Sequence, residues 1–133
     1  MLEGEPVTIR GKTVPIADTM QGRLISSEEG RATLRYPVLK EFMNPSGTLQ
    51  GGAFGVMMDT AMAVASTGLT TVTMQTTILR PISEGFVTVT ADIVREGRRI
   101  IYAEGKVHDE QGRLLATGNQ TAVPLNRGEL NKD

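Results

Sequence analysis

Residues 51–68, GGAFGVMMDTAMAVASTG, constrain the fold of this 133-residue chain more than any other stretch. No proline interrupts Gly52 to Ser66, alanine and methionine favour helix, and Gly68 is placed to end one. Apolar character runs all the way round that helix, so other elements must enclose it. At its centre stands Asp59, the one charged side chain between Glu41 and Arg80. A carboxylate on so apolar a segment must be desolvated, a cost that proteins rarely accept unless the group has a partner or a use. The run is nearly long enough to cross a bilayer, but a central Asp costs about 2.5–3.5 kcal/mol there and the glycines dilute its hydrophobicity. It reads as a buried helix, with no membrane as partner.

Strands supply the enclosure. Arg23–Ser26 and Arg31–Pro37 flank the turn Ser27-Glu28-Glu29-Gly30, and Ala32, Leu34 and Tyr36 alternate with Thr33 and Arg35. After Gly68, Thr70–Pro81, Gly85–Arg95, Arg99–His108 and Arg113–Val123 are rich in β-branched residues, with turns at Glu96-Gly97-Arg98 and Asp109-Glu110-Gln111-Gly112. Residues 1–21 are polar, broken by Pro6, Gly11 and Pro15, and hold at most one helical turn at Ile16–Met20. The division expected is an N-terminal extension over 1–21, one domain over 22–125 and a flexible tail over 126–133, in a 14.3 kDa chain with room for a real core.

Composition excludes several functions. A net charge of −1 and the absence of Trp leave neither a basic footprint nor stacking platforms for nucleic acid. Without cysteine there is no disulfide, thiolate ligand or Cys nucleophile, and MLEGEPVTIRGK carries no signal peptide, which makes a cytoplasmic protein the simple expectation. His108, the one histidine, precedes an acidic turn far from the helix, so Ser–His and His–metal chemistry have no support and the metal expectation is none.

Asn44-x-x-Gly47-x-x-Gln50-Gly51-Gly52, then Asp59 on the helix, then Arg80-Pro81 and Gly85 after a strand, resembles the hotdog-fold thioesterases of the phenylacetate-degradation (PaaI-like) type. The resemblance covers residues 22–125 and includes the two hairpin turns. It implies an α+β hotdog fold, a long antiparallel curved sheet wrapped around one central helix. It also implies a homodimer whose sheets join, commonly a dimer of dimers, and hydrolysis of acyl- or aryl-CoA thioesters with no cofactor beyond the coenzyme A of the substrate. Carried over residue by residue, Asp59 is the nucleophile or general base, the Gly51 amide polarises the thioester carbonyl, and Asn44 positions the reacting groups. The family usually has His where this chain has Gln50, which can donate an amide hydrogen bond but cannot shuttle protons. Gly52, Thr73, Phe54 and Met58 are the substrate-binding candidates around these, with Thr73 preferred over Thr71 as the polar neighbour of Asp59. Arg80 and Arg98, with Arg95 and Arg99, suit the phosphates of coenzyme A.

Physics supports part of that assignment independently. The first amides of a helix lack internal partners and carry its positive end, so a developing oxyanion is stabilised at Gly51 and Gly52. A carboxylate desolvated among Val56, Met58 and Met62 is a stronger base than a free one. Asp59 lies eight residues beyond Gly51, about 12 Å along one helix, so both can act on one carbonyl only across a two-fold interface. Gly55 and Ala63, one turn either side of Asp59, keep that face small for a substrate or partner chain. The bland rivals are a structural carboxylate capped by hydroxyls and a glycine pair serving only as a tight helix start. A non-catalytic hotdog dimer that binds acyl-CoA or a lipid-like ligand is the alternative function; a hotdog hydratase would want an Asp–His pair near the helix start.

Overall fold

The structure is a computed structural model and describes residues 3–66 and 68–125. The main helix runs Gly51–Ala65 (α2), and its start after Gln50 and its length follow the pattern of the sequence. It stops before Gly68 because Ser66 turns extended: the Ser66 hydroxyl donates to the Ala63 carbonyl (3.1 Å) and accepts from the Gly68 amide (3.0 Å). Among the described residues no helix is long and apolar enough to cross a membrane.

Six longer or paired strands surround α2: β4 (Arg23–Glu28), β5 (Arg31–Pro37), β6 (Leu69–Ile78), β7 (Phe86–Glu96), β8 (Ile101–His108) and β9 (Leu114–Pro124). With the two-residue β1 (Glu5–Pro6) they form one antiparallel sheet in the order β1-β4-β5-β7-β8-β9-β6. The alternation seen in the sequence sets which face is inward. Ala32, Leu34 and Tyr36 of β5 lie opposite Ala91, Val89 and Val87 of β7, and all six are buried. The helix contacts β4 and β5 toward one end of that order and β9 and β6 at the other. Laid flat, six strands at about 4.8 Å spacing span roughly 24 Å, against a helix about 10 Å across. The sheet therefore curls around the helix, the architecture expected. Two glycines make the close approach possible. A Cβ on Gly105 would meet Met58 at 3.2 Å, and one on Gly118 would meet it at 2.9 Å.

The first twenty-one residues carry more structure than their polarity suggests. Besides β1 they hold a small hairpin, β2 (Thr8–Ile9) with β3 (Lys12–Thr13), and a short helix α1 (Pro15–Thr19) with proline in its first turn. Val7, Ala17 and Met20 from this stretch are buried in the common core. Isolated apolar residues in short elements leave no periodicity to read, which is why the sequence shows so little of this. The expected tail over 126–133 lies outside the described residues.

The sheet ends differently on its two sides. One border is the two-residue β1, the other the ten-residue β6, whose outer side pairs with no strand among the described residues. Val72, Met74 and Ile78 of β6 are large, apolar and exposed. A long apolar edge of this kind is a template for pairing with another chain.

Candidate active site

Asp59 projects from the third turn of α2 toward β6 and is half-buried rather than sealed in the core, because β6 is the last strand. Its Oδ1 accepts a 2.8 Å hydrogen bond from Thr71 Oγ1. Thr71 lies in turn 3.3 Å from Oε1 of Gln120, a β9 side chain only 1% exposed. Thr73, the residue preferred from sequence, is not the neighbour. A β-bulge falls between Thr71 and Thr73, so Thr71 pairs with Ala122 and Thr73 with Thr121. Thr121 alternates with the buried Gln120 and Ala122, which puts Thr73 on the outer face, exposed.

Gln120 escaped the sequence reading, although a signal existed. Ala116, Gly118, Gln120 and Ala122 occupy alternate positions of one strand, and the glutamine is the polar exception on that inward face. The bulge had no such signal.

The start of α2 forms the second part of the site. Gln50 caps the helix from an extended backbone without a side-chain cap, and its carbonyl accepts from the Ala53 amide at 2.9 Å. The amides of Gly51 and Gly52, the first two of the helix, have no acceptor among the described residues. Gly51 opens on a groove of 260 Å³ lined by Asn44, Thr48, Ile78, Leu79 and Arg80. Gly52 and Gln50 open on a second groove of 280 Å³, mostly apolar, lined by Ile16, Met20, Phe42, Met43 and Val56. Asn44 is largely committed to its own loop. Its Oδ1 accepts from the Ser46 amide (3.0 Å) and the Thr48 amide (3.2 Å), and its Nδ2 donates to Thr48 Oγ1 (2.9 Å). It shapes the loop that lines the groove, and its second amide hydrogen has no acceptor among the described residues.

Other expectations need correction. Phe54 and Met58 are core residues at 0% and 1% exposure, so neither has surface to offer a substrate. The small face at Gly55 admits this chain's own β6: a Cβ there would meet the Met74 methyl and the Thr76 hydroxyl, each at 3.1 Å. Arg80 and Arg98 lie in different places within one chain. Arg80 lines the Gly51 groove, whereas Arg98 lines a groove of 350 Å³ with Arg95, Arg99 and Ile100 at the β7–β8 turn. That turn joins strands whose register continues through Ile101 and Ala122 to Thr71, at the Asp59 end of the helix. Among the described residues no cluster of three or more histidine, aspartate or glutamate side chains is placed to hold a metal ion.

Known proteins share this fold. Residues 46–116, which span the helix-start loop, α2 and β6 through β8, match the Thioesterase superfamily. A phenylacetic acid degradation-related protein of Ralstonia eutropha JMP134 is 26% identical in sequence and superposes with a TM-score of 0.77, covering 86% of this chain and 95% of that one. A conserved protein of Pseudomonas aeruginosa is also 26% identical, with a TM-score of 0.80 over 84% of this chain and 94% of that one. The PaaI protein of the E. coli phenylacetic acid degradation operon shares the fold at 23% identity and a TM-score of 0.80, covering 85% of this chain and 86% of that one. With an apolar helix clasped by one antiparallel sheet and an unpartnered glycine amide at its start, the chain belongs to the thioesterase superfamily and has the hotdog fold of its PaaI-like members.

Proposed function

We propose that this protein is a cytoplasmic homodimeric acyl-CoA or aryl-CoA thioesterase, with Asp59 of one subunit and the Gly51 amide of the other acting on one thioester carbonyl. The observation that carries the reading is the free Gly51 amide opening on a groove beside Arg80, about 12 Å along the helix from the carboxylate of its own chain. That span cannot be closed within one subunit. The free β6 edge offers the way round it. Thr71 holds Asp59, and Ile78 packs at Gly51, where a Cβ would meet its Cδ1 at 3.3 Å. Antiparallel pairing of β6 with its own copy, centred on Gln75, sets Met74 opposite Thr76 and, counted across the bulge, Thr71 of one subunit opposite Ile78 of the other. Each Asp59 then faces the partner's helix start, twice per dimer.

In that arrangement the carbonyl oxygen accepts from the Gly51 amide as negative charge develops on it, aided by the positive end of α2. Asp59 takes a proton from water as the water oxygen bonds to the carbonyl carbon, the carbon–sulfur bond breaks, and the proton passes to the departing CoA thiolate. Direct attack by the carboxylate, through an acyl anhydride that water then opens, uses the same groups. The apolar groove lined by Met20, Phe42, Met43 and Val56 suits the acyl part, in place of the core residues Phe54 and Met58. No group other than these residues is needed, and coenzyme A enters only as part of the substrate.

Gln50 carries the alternative, a dimer that binds acyl-CoA without turning it over, because an exposed carboxamide at the helix start relays no proton. The test is thiol release from a panel of aryl-, short- and medium-chain acyl-CoAs by the wild type and Asp59→Asn, both verified as folded. Turnover that falls by orders of magnitude in Asp59→Asn upholds the thioesterase; binding without turnover in either favours the alternative.

A further inference from the structure

We infer that Gln120 and Thr71 form a relay that orients Asp59: the Gln120 amide donates to the Thr71 hydroxyl, which donates to the carboxylate. The inference rests on the proposed general-base role of Asp59 and deepens it. Thr71 Oγ1 has one proton and two neighbours, Asp59 Oδ1 at 2.8 Å and Gln120 Oε1 at 3.3 Å. The shorter contact, to a carboxylate, takes the proton. That leaves two acceptor oxygens facing each other at 3.3 Å while Gln120 Nε2, fully buried, has no acceptor. The ends of a carboxamide are interchangeable in shape, and a half-turn of the Gln120 amide resolves the conflict between it and Thr71. Its nitrogen then donates to Thr71 Oγ1, whose own proton stays fixed on Asp59. The hydroxyl is thereby denied rotation, and one carboxylate oxygen is tied down while the other remains for water.

A side chain that is 1% exposed, on the inward face of β9 between Gly118 and Ala122, is held too tightly to swing to another partner. An ordinary core would place an apolar residue there, since a buried amide is costly without hydrogen bonds. Gln120 touches no substrate in this scheme. It is a positioning residue acting through Thr71, and the chain's own β6 bulge puts Thr71, not Thr73, in line.

Two readouts test the relay. The first needs no turnover: in 1H–15N spectra of the intact protein the Gln120 side-chain amide is expected to exchange slowly and to shift in Thr71→Val. A Gln120 amide that exchanges like a free glutamine, or that is unmoved in Thr71→Val, overturns the bond. The second is kinetic. Thr71→Val and Gln120→Leu are each expected to lower kcat at least tenfold, toward about 10²-fold as a misplaced base does, with KM little changed. Thr71→Ser restores most of the loss, and the double variant is no worse than Thr71→Val alone. Additive losses, equal kcat in Thr71→Ser and Thr71→Val, or lowered thermal stability with unchanged kcat reduce both residues to packing and overturn the positioning role. Should Asp59→Asn turn over as well as wild type, the general-base reading itself has failed and the positioning role with it. The amide spectra then judge the hydrogen bond alone.

Discussion

Replacing Gly51 with proline removes one hydrogen atom from the proposed oxyanion site and little else. Gly51 is the first residue of α2, the one helical position where proline is favoured because the missing amide has no intrahelical partner. Gln50, just before it, has φ −61° and ψ 139°, the extended conformation that a residue preceding proline requires. A side chain at position 51 meets only the flexible end of Ile78, at 3.3 Å. Folding stability should therefore change by no more than about 1 kcal/mol, in either direction. Catalysis should not survive so well. Loss of a single oxyanion donor costs about 10²–10³ in kcat, or roughly 2.7–4 kcal/mol of transition-state stabilisation. Gly51→Ala is the control, since it adds bulk but keeps the amide, and should lie within a few-fold of wild type. Thiol release at saturating acyl-CoA measures the rates, and thermal melts verify the fold. A folded Gly51→Pro enzyme within threefold of wild type would show that the Gly51 amide is not the donor. Equal damage from proline and alanine would show that crowding, not the lost hydrogen, is at work.

Two further outcomes are expected. Val72→Lys puts a charge on each side of the self-paired β6 edge at a residue already 60% exposed, so it should leave the subunit folded but separate the dimer in sedimentation and lower kcat with it; a monomer with full activity would refute the shared site. The second concerns Tyr36, whose hydroxyl burial pushes up from 10.0 to about 12, more than its contact with Thr60 offsets. The folded state thus resists ionisation that the unfolded chain undergoes near pH 10, so this contribution is fully present below pH 10 and is lost as pH rises to 12, on the order of 3 kcal/mol in all. Denaturant midpoints at pH 9 and 11.5 should show that loss in wild type and not in Tyr36→Phe, and equal losses in both would contradict it.

The helix was legible because fifteen residues without proline and apolar on every side admit few other states, and the strands because Ala32, Leu34 and Tyr36 or Val87, Val89 and Ala91 alternate cleanly. Asp59 stood out for the same reason, as the lone charge of that stretch. What failed to show was whatever depends on register or on depth. One inserted residue in β6 puts Thr71 and Thr73, which a regular strand would keep on one face, on opposite faces, and nothing in LTTVTMQTTI marks where it falls. Phe54 and Met58 look like pocket lining on an apolar helix, yet the sheet glycines at 105 and 118 let the sheet close over Met58. The N-terminal stretch buries three apolar residues through elements of two to five residues, shorter than any periodicity can reveal.

β6 links these features into one physical argument. Its inward face carries Thr71 against Asp59 at one end and Ile78 against Gly51 at the other, while Met74 and Thr76 between them fill the gap at Gly55. The spacing of Asp59 and Gly51 along α2 is thus copied onto a strand whose other side pairs with no strand among the described residues. In the proposed dimer, antiparallel self-pairing would invert that copy, so the same ten residues that keep Asp59 and the Gly51 amide apart in one subunit would bring them together across two. One helix alone holds Asp59 and the Gly51 amide about 12 Å apart, and on the proposed mechanism the free edge of β6 is the element that would close that distance.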